Sequence, residues 1–186
     1  MTSDLRLSKL LSLALRHQPD ALGLELDRAG WTDVERLLAG LGRKLGRDVP
    51  RAELERLVRE SDKQRFALSP DGARIRANQG HSVPVDLGLQ AVAPPVRLFH
   101  GTVARALPAI RREGLSRRAR HHVHLSADEE TAVKVGDRRG RALVLVIRAG
   151  EMAAAGHGFW RAANGVWLAD HVPPEFIDFP APPLSP

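Results

Sequence analysis

Arg16 and His17 stand side by side near the end of KLLSLALRHQP, residues 9–19, a stretch whose apolar spacing predicts an amphipathic helix that Pro19 must stop. A guanidinium is permanently charged and presents a planar fork of donors, while an imidazole gains and loses a proton near neutrality. Such a pair can hold an anion and move a proton. Two cations in a last helical turn also interact favourably with the helix dipole, by about 0.3–1 kcal/mol each. Taken alone, the stretch is explained by the dipole.

A second cationic pair is expected in RFALSPDGARIRA, residues 65–77, which reads as two alternating strands around the turn Ser69-Pro70-Asp71-Gly72. With those four residues as the loop, Leu68 faces Ala73, Phe66 faces Ile75, and Arg65 comes opposite Arg76. Phe66, Leu68, Ala73 and Ile75 then turn inward, Arg74 and Arg76 outward, and Arg65 outward or at a strand end. Like charges directly opposite one another repel. An anion held between Arg65 and Arg76 would remove that penalty; two arginines simply pointing into water is the equal alternative.

HHVHLS, residues 121–126, invites a metal reading, but on a strand His122 and His124 share one face and His121 takes the other. Three imidazoles that do not converge, with no thiolate and no carboxylate before Asp128, do not make a zinc site, and no metal is expected. RREGLSRRAR, residues 111–120, carries five arginines and one acid; it reads as a solvated loop or as a contact to an RNA backbone. No dinucleotide-binding G-x-G-x-x-G, phosphate-binding P-loop or G-x-S-x-G nucleophile elbow is present, so a bound nucleotide needs another kind of pocket.

The elements that must position these residues follow from the bulk composition and the chain pattern. With 186 residues and 43% hydrophobic content, the chain can bury one good core or two small ones, and two lobes are expected. The absence of cysteine excludes disulfides, thiolate zinc sites and a cysteine nucleophile. No signal-peptide pattern and no apolar run of membrane-spanning length is visible, so a cytoplasmic protein without a membrane partner is expected. The formal charge is +6, and only Lys9, Lys44, Lys63 and Lys134 are lysines, so arginine carries most of the positive charge and nucleic acid is the leading polyanion.

Residues 1–90 read as helix, short strand at Leu24–Leu26, helix, helix and hairpin. Thr32 and Glu35 of TDVE are placed as a capping box for a helix to about Leu41, and Pro50 as the first residue of the next helix, with Leu54, Leu57 and Val58 on one face. That order resembles a winged helix. A linker is expected near 91–95. Residues 96–186 then give the strand RLFHGT, a helix near Leu107–Glu113, the strand HVHLS, a helix from about Ala127, the strand ALVLVI, a Gly-rich segment, the strand NGVWL, and EFIDF. The fold class expected is α+β.

In chain order LRHQP, DKQRF, RANQGHS, FHGT, HVHLS, VGDRRG and NGVWL, spanning Leu15 to Leu168, resemble the RNA 2′-phosphotransferase family, the tRNA 2′-phosphotransferases. The resemblance implies an N-terminal winged-helix RNA-binding lobe and a C-terminal ADP-ribosyltransferase-like lobe, with the substrates meeting between them. It implies removal of an internal 2′-phosphate from RNA, such as a tRNA splice junction, with NAD as co-substrate. The RNA phosphate attacks C1″ of the nicotinamide ribose and expels nicotinamide, giving an ADP-ribosylated 2′-phospho-RNA intermediate. The ADP-ribose 2″-hydroxyl then attacks that phosphorus, releasing RNA and ADP-ribose 1″,2″-cyclic phosphate.

The resemblance carries the family's catalytic set onto Arg16, His17, Arg65 and Arg138, with Arg139 as the alternative to Arg138 because two arginines stand together in VGDRRG. It carries NAD binding onto His100, Gly101 and Thr102 of FHGT and His124 and Ser126 of HVHLS. Lys63, Arg76, Gln79, Gly80, His81 and Ser82 are carried over as RNA-substrate contacts. NGVWL has no acid where many ADP-ribosyltransferases place a catalytic Glu, which suits an acceptor already ionised. A monomer is expected. The rival readings are an ADP-ribosyltransferase that caps terminal phosphates of RNA or DNA, and a winged-helix regulator without NAD turnover.

Overall fold

Leu7, Leu11, Ala14 and Leu15 recur at the spacing that puts them on one helical face, and in α1 (Ser3–Arg16) all four are fully buried. Their face meets Val34, Leu37 and Leu41 of α2 (Val34–Leu45) and Leu54 and Leu57 of α3 (Arg51–Arg59), forming one core. Arg56 reaches from α3 to Asp4 with two bonds, at 3.0 and 2.8 Å, and holds the start of α1. Leu11→Ala is expected to cost about 2–5 kcal/mol, read as a lowered urea midpoint, because the cavity cannot collapse against three helices.

The computed structural model describes residues 3–61 and 63–180. They divide into two units between Gly88 and Leu89, each containing helix and sheet, so the protein is α+β. No described helix is long and apolar enough to cross a membrane.

In the first unit, a three-stranded antiparallel sheet in the order β1-β3-β2 joins the helices; β1 is Thr32–Asp33, β2 Phe66–Leu68 and β3 Arg74–Ala77. Thr32 is buried opposite Ile75 in this sheet, so it does not cap α2. Asp33 does, its carboxylate accepting the Arg36 N–H at 2.8 Å. The expected strand at Leu24–Leu26 does not form; Leu24 is buried after a 3-10 turn at Pro19–Leu22, its apolar character serving the core rather than pairing. The second helix runs past Leu41 to Leu45, where Gly46 takes a left-handed turn (φ 67°), and Pro50 caps α3 from just outside it.

The hairpin register is also corrected. Phe66 pairs with Ala77, Ala67 with Arg76 and Leu68 with Ile75, two residues away from the expected pairing. Ser69 is drawn into the ladder: its N–H donates to the Arg74 carbonyl and its Oγ accepts the Arg74 N–H, so the loop becomes 70–73. Ala73 is consequently exposed, and Arg65 lies opposite Asn78 rather than Arg76. The anticipated repulsion between Arg65 and Arg76, and the anion between them, have no basis in this register. Arg76 instead lies over the Trp31 ring at 4.6 Å, with Arg74 over it at 5.5 Å.

The second unit is built on β4 (Leu98–Val103), β5 (Leu115–Ser116), β6 (Val123–Leu125), β7 (Ala142–Ile147), β8 (Phe159–Arg161), β9 (Trp167–Ala169), β10 (His171–Val172) and β11 (Ile177–Asp178). They form antiparallel sheets ordered β11-β7-β4, β6-β9-β8 and β10-β5. Helices α4 (Leu107–Glu113), α5 (Glu129–Gly136) and α6 (Ala149–Ala154) pack around them, with Leu98, Leu125, Leu145, Ile147 and Phe159 at the centre of the core. The Gly-rich reading missed α6 and β8. The segment expected to be a linker runs along β8: Ala91 bridges Trp160 and the Val92 N–H donates to the Phe159 carbonyl.

Candidate active site

In the first unit, α1 ends where its apolar face ends, leaving Arg16 half-buried and His17 exposed at the terminus. The terminal Arg16 carbonyl, which helix geometry leaves without an intrahelical donor, accepts the Ser82 N–H at 2.8 Å. Ser82 Oγ lies 2.9 Å from His17 Nδ1. Arg16 itself donates through Nη2 to the Arg65 carbonyl at 3.3 Å, and its guanidinium lies 5.8 Å from the centre of the Phe66 ring.

Asn78 completes the frame. Its N–H donates to the Arg65 carbonyl at 2.9 Å and its Nδ2 to the Gln64 carbonyl at 2.6 Å. Gln64 is held at φ 37°, a left-handed conformation that a non-glycine residue adopts only at a cost, so Asn78 stabilises the turn that delivers Arg65. The end of α1, distant in the chain, and the two sides of the hairpin are thus joined through the Arg16, Gln64 and Arg65 carbonyls. Arg47, Arg51 and Arg56 are neutralised by carboxylates, whereas Arg65 makes no ion pair among the described residues.

The other substrate candidates scatter around this frame. Lys63 is exposed; Gln79 and Gly80 are half-buried; Arg76 is occupied by Trp31. His81 is only 1% exposed and packs its ring near Gly30, which makes it a core residue in this conformation.

In the second unit, the blocks FHGT, HVHLS and NGVWL lie on neighbouring strands. Phe99 and Ser126 exchange both backbone bonds, at 2.9 and 2.8 Å, tying β4 to the end of β6, and His124 pairs with Leu168 of β9. His100 Nδ1 lies 3.0 Å from the His124 carbonyl, which can only accept, so Nδ1 carries the proton. Arg120 Nη1 lies 2.8 Å from His124 Nδ1; a guanidinium can only donate, so this His is neutral with its proton on Nε2. The two imidazoles therefore hold opposite tautomers: Nε2 of His100 is an acceptor and Nε2 of His124 a donor.

Burial, and then the charges of Arg139 and Arg120, push the His100 imidazole below its ordinary value of 6.5. A histidine held neutral in the fold stabilises it above the unfolded-state value, and that contribution is lost as pH falls below about 6.5 toward the folded-state value. His100→Gln should flatten the fall in melting temperature between about pH 7.5 and 5.5, measured by calorimetry at matched ionic strength.

The VGDRRG block reaches this region because Gly101 and Gly136 let α5 lie directly on β4. A Cβ on Gly101 would overlap the Ala132 carbonyl and stand 2.8 Å from Gly136 N; one on Gly136 would stand 2.8 Å from Ala142 Cβ. Asp137 accepts the Ala142 N–H at 3.1 Å, and the Arg139 carbonyl accepts from Arg105 at 3.3 Å, pinning the turn that carries Arg138 and Arg139. Neither arginine makes an ion pair among the described residues, and it is Arg139 whose charge reaches His100 and Arg120. Thr102 is buried in β4, and Ser126 is half-buried.

The sequence reading passed over Asn78, inside a block quoted for its neighbours, and Arg120, at the end of an arginine run that gave no reason to choose one member. Among the described residues, no group of three or more His, Cys, Asp or Glu is placed to hold a metal ion.

Comparison with known proteins places nearly the whole chain in one family. Residues 2–171 match the family model described as RNA 2′-phosphotransferase, Tpt1/KptA family. A curated protein of Streptomyces griseus named probable RNA 2′-phosphotransferase is 56% identical, with 92% of this chain and 94% of that one covered. Proteins of the same name from Rhodopirellula baltica (93% and 94% covered) and Pseudomonas aeruginosa (91% and 93%) are 50% and 52% identical. With nearly the whole chain matched at about half identity, the protein belongs to the RNA 2′-phosphotransferase family.

Proposed function

We propose that the protein removes an internal 2′-phosphate from RNA by transferring it to NAD, with the first unit as a winged-helix RNA lobe (1–90) and the second as an ADP-ribosyltransferase-like NAD lobe (96–186). The order helix, strand, helix, helix, hairpin supports the first assignment. The opposed tautomers of His100 and His124 support the second, since an acceptor and a donor on adjoining strands suit a ribose, whose hydroxyls both give and take hydrogen bonds. The observation that carries the reading is the frame in which Asn78 and Ser82 tie together Arg16, His17 and Arg65.

A phosphate dianion is already nucleophilic, so the first step needs charge balance and in-line placement more than a base. Arg16, Arg65 and Arg138 supply fixed charge that no protonation step has to create. The RNA 2′-phosphate attacks C1″ of NAD's nicotinamide ribose; the C1″–N bond breaks and nicotinamide departs. In the second step, the 2″-hydroxyl of the ADP-ribosylated 2′-phospho-RNA attacks phosphorus, its proton passing to His17, while the RNA 2′-oxygen leaves and takes up a proton. The arginines offset charge on the phosphoryl oxygens, and the products are RNA with a free 2′-hydroxyl and ADP-ribose 1″,2″-cyclic phosphate. Asn164 to Leu168 bring no acid to activate an acceptor, in keeping with an acceptor that arrives ionised.

The test is incubation of 2′-phosphorylated RNA with and without NAD. One nicotinamide is expected per phosphate lost, and no loss is expected without NAD. Phosphate loss independent of NAD would overturn the reading, and RNA that keeps its phosphate under a stable ADP-ribose would identify a capping enzyme instead.

A further inference from the structure

His17 and Ser82 are 65 residues apart in the chain and meet at 2.9 Å through Nδ1 and Oγ. The same hydroxyl stands 3.5 Å from the Arg16 carbonyl, which already accepts the Ser82 N–H at 2.8 Å. We propose that Ser82 is a positioning residue for His17: its oxygen accepts the Nδ1–H while its own proton points to the Arg16 carbonyl, so that Nε2 is the nitrogen that takes and returns a proton. The inference rests on the reading of His17 as the group that moves a proton in the second step, and it gives Ser82 a role other than touching the RNA.

The proton inventory decides the direction. A hydroxyl has one proton, and a carbonyl only accepts. With that proton toward the Arg16 carbonyl, the bond from Nδ1–H to Oγ is the same in the neutral imidazole and in the imidazolium, and the ring keeps its orientation through a full cycle. With the proton toward Nδ1 instead, the bond would be lost on protonation, when Nδ1 becomes a donor, and the oxygen of Ser82 would face the carbonyl oxygen with no hydrogen between them. The backbone clasp from Ser82 N–H to the Arg16 carbonyl is independent of the side chain. Removing the hydroxyl therefore leaves residues 78–82 anchored to the end of α1.

Nitrogen-detected NMR of the imidazoles, with His17 assigned by its loss in His17→Ala, reads the tautomer directly. In the wild-type protein above the imidazole's titration, Nδ1 is expected to carry the proton; in Ser82→Ala the balance should move toward Nε2–H. Kinetically, Ser82→Ala should lower kcat roughly tenfold, part of the full contribution of a positioned acid–base group. It should shift the limb of the pH–rate profile that His17→Ala abolishes, and leave KM for NAD and for RNA unchanged. Ser82→Thr, which keeps the hydroxyl, should restore both rate and limb. A wild-type His17 protonated on Nε2, or a Ser82→Ala enzyme with unchanged kcat and limb, overturns the proposal. Wild-type turnover by His17→Ala is a different result: it removes the catalytic role of His17, and the NMR measurement still decides what Ser82 does to the ring.

Discussion

Arg16→Ala is expected to lower kcat by roughly 10²–10³-fold, or about 2.7–4 kcal/mol of transition-state stabilisation, with a smaller rise in KM for the RNA. In the proposed second step charge accumulates on the phosphoryl oxygens, and a guanidinium already fixed in place interacts more strongly there than in the ground state, while in the first step it holds the attacking phosphate in line. Arg16→Lys should recover little, since an ammonium keeps the charge but not the planar fork or the bond from Nη2 to the Arg65 carbonyl. Arg65→Ala should fall in the same range. The double variant should lose less than the product of the two, because Arg16 and Arg65 share a frame and removing either disturbs the other. Single-turnover measurements with 2′-phosphorylated RNA check all four. A double variant with losses that simply multiply would show that the two arginines act independently.

Gly101→Ala should be among the most damaging single methyls in the second unit. The added Cβ would overlap the Ala132 carbonyl of α5 and press on Gly136 N, both backbone atoms that cannot rotate away. Strand β4 and helix α5 must then separate, undoing the contact that brings VGDRRG to the His100 region. Overpacking of this kind costs typically about 1–3 kcal/mol and occasionally more. For a unit of this size, a loss near the upper end lowers the melting temperature on the order of 10 °C. Thermal unfolding checks the stability, and NAD-dependent turnover below the melting transition checks the site.

The helices were legible because their signal is local. A buried stripe every three to four residues marks α1, and the helix Leu107–Glu113 matches its expected boundaries, as does the strand Ala142–Ile147, whereas the short α6 carries no such stripe and was missed. What failed was set by individual hydrogen bonds and pairings that the apolar pattern does not encode. The hairpin slipped because the Ser69 side chain and backbone close on Arg74, and a slip of that kind changes every pairing at once. Thr32 lost its capping role because β3 needed a partner at Ile75. The family blocks were readable as strings, but nothing in their spacing indicates that Ser82 meets His17, that Asn78 holds the Gln64–Arg65 turn, or that Arg120 fixes the His124 tautomer.

The decisive measurement follows the phosphorus atom. An RNA carrying a labelled internal 2′-phosphate, incubated with the protein and NAD, should lose its label to ADP-ribose 1″,2″-cyclic phosphate, with nicotinamide released in equal amount and a 2′-hydroxyl left on the RNA. Label appearing as inorganic phosphate, or remaining on the RNA after nicotinamide is released and the reaction is complete, would contradict phosphate transfer to NAD.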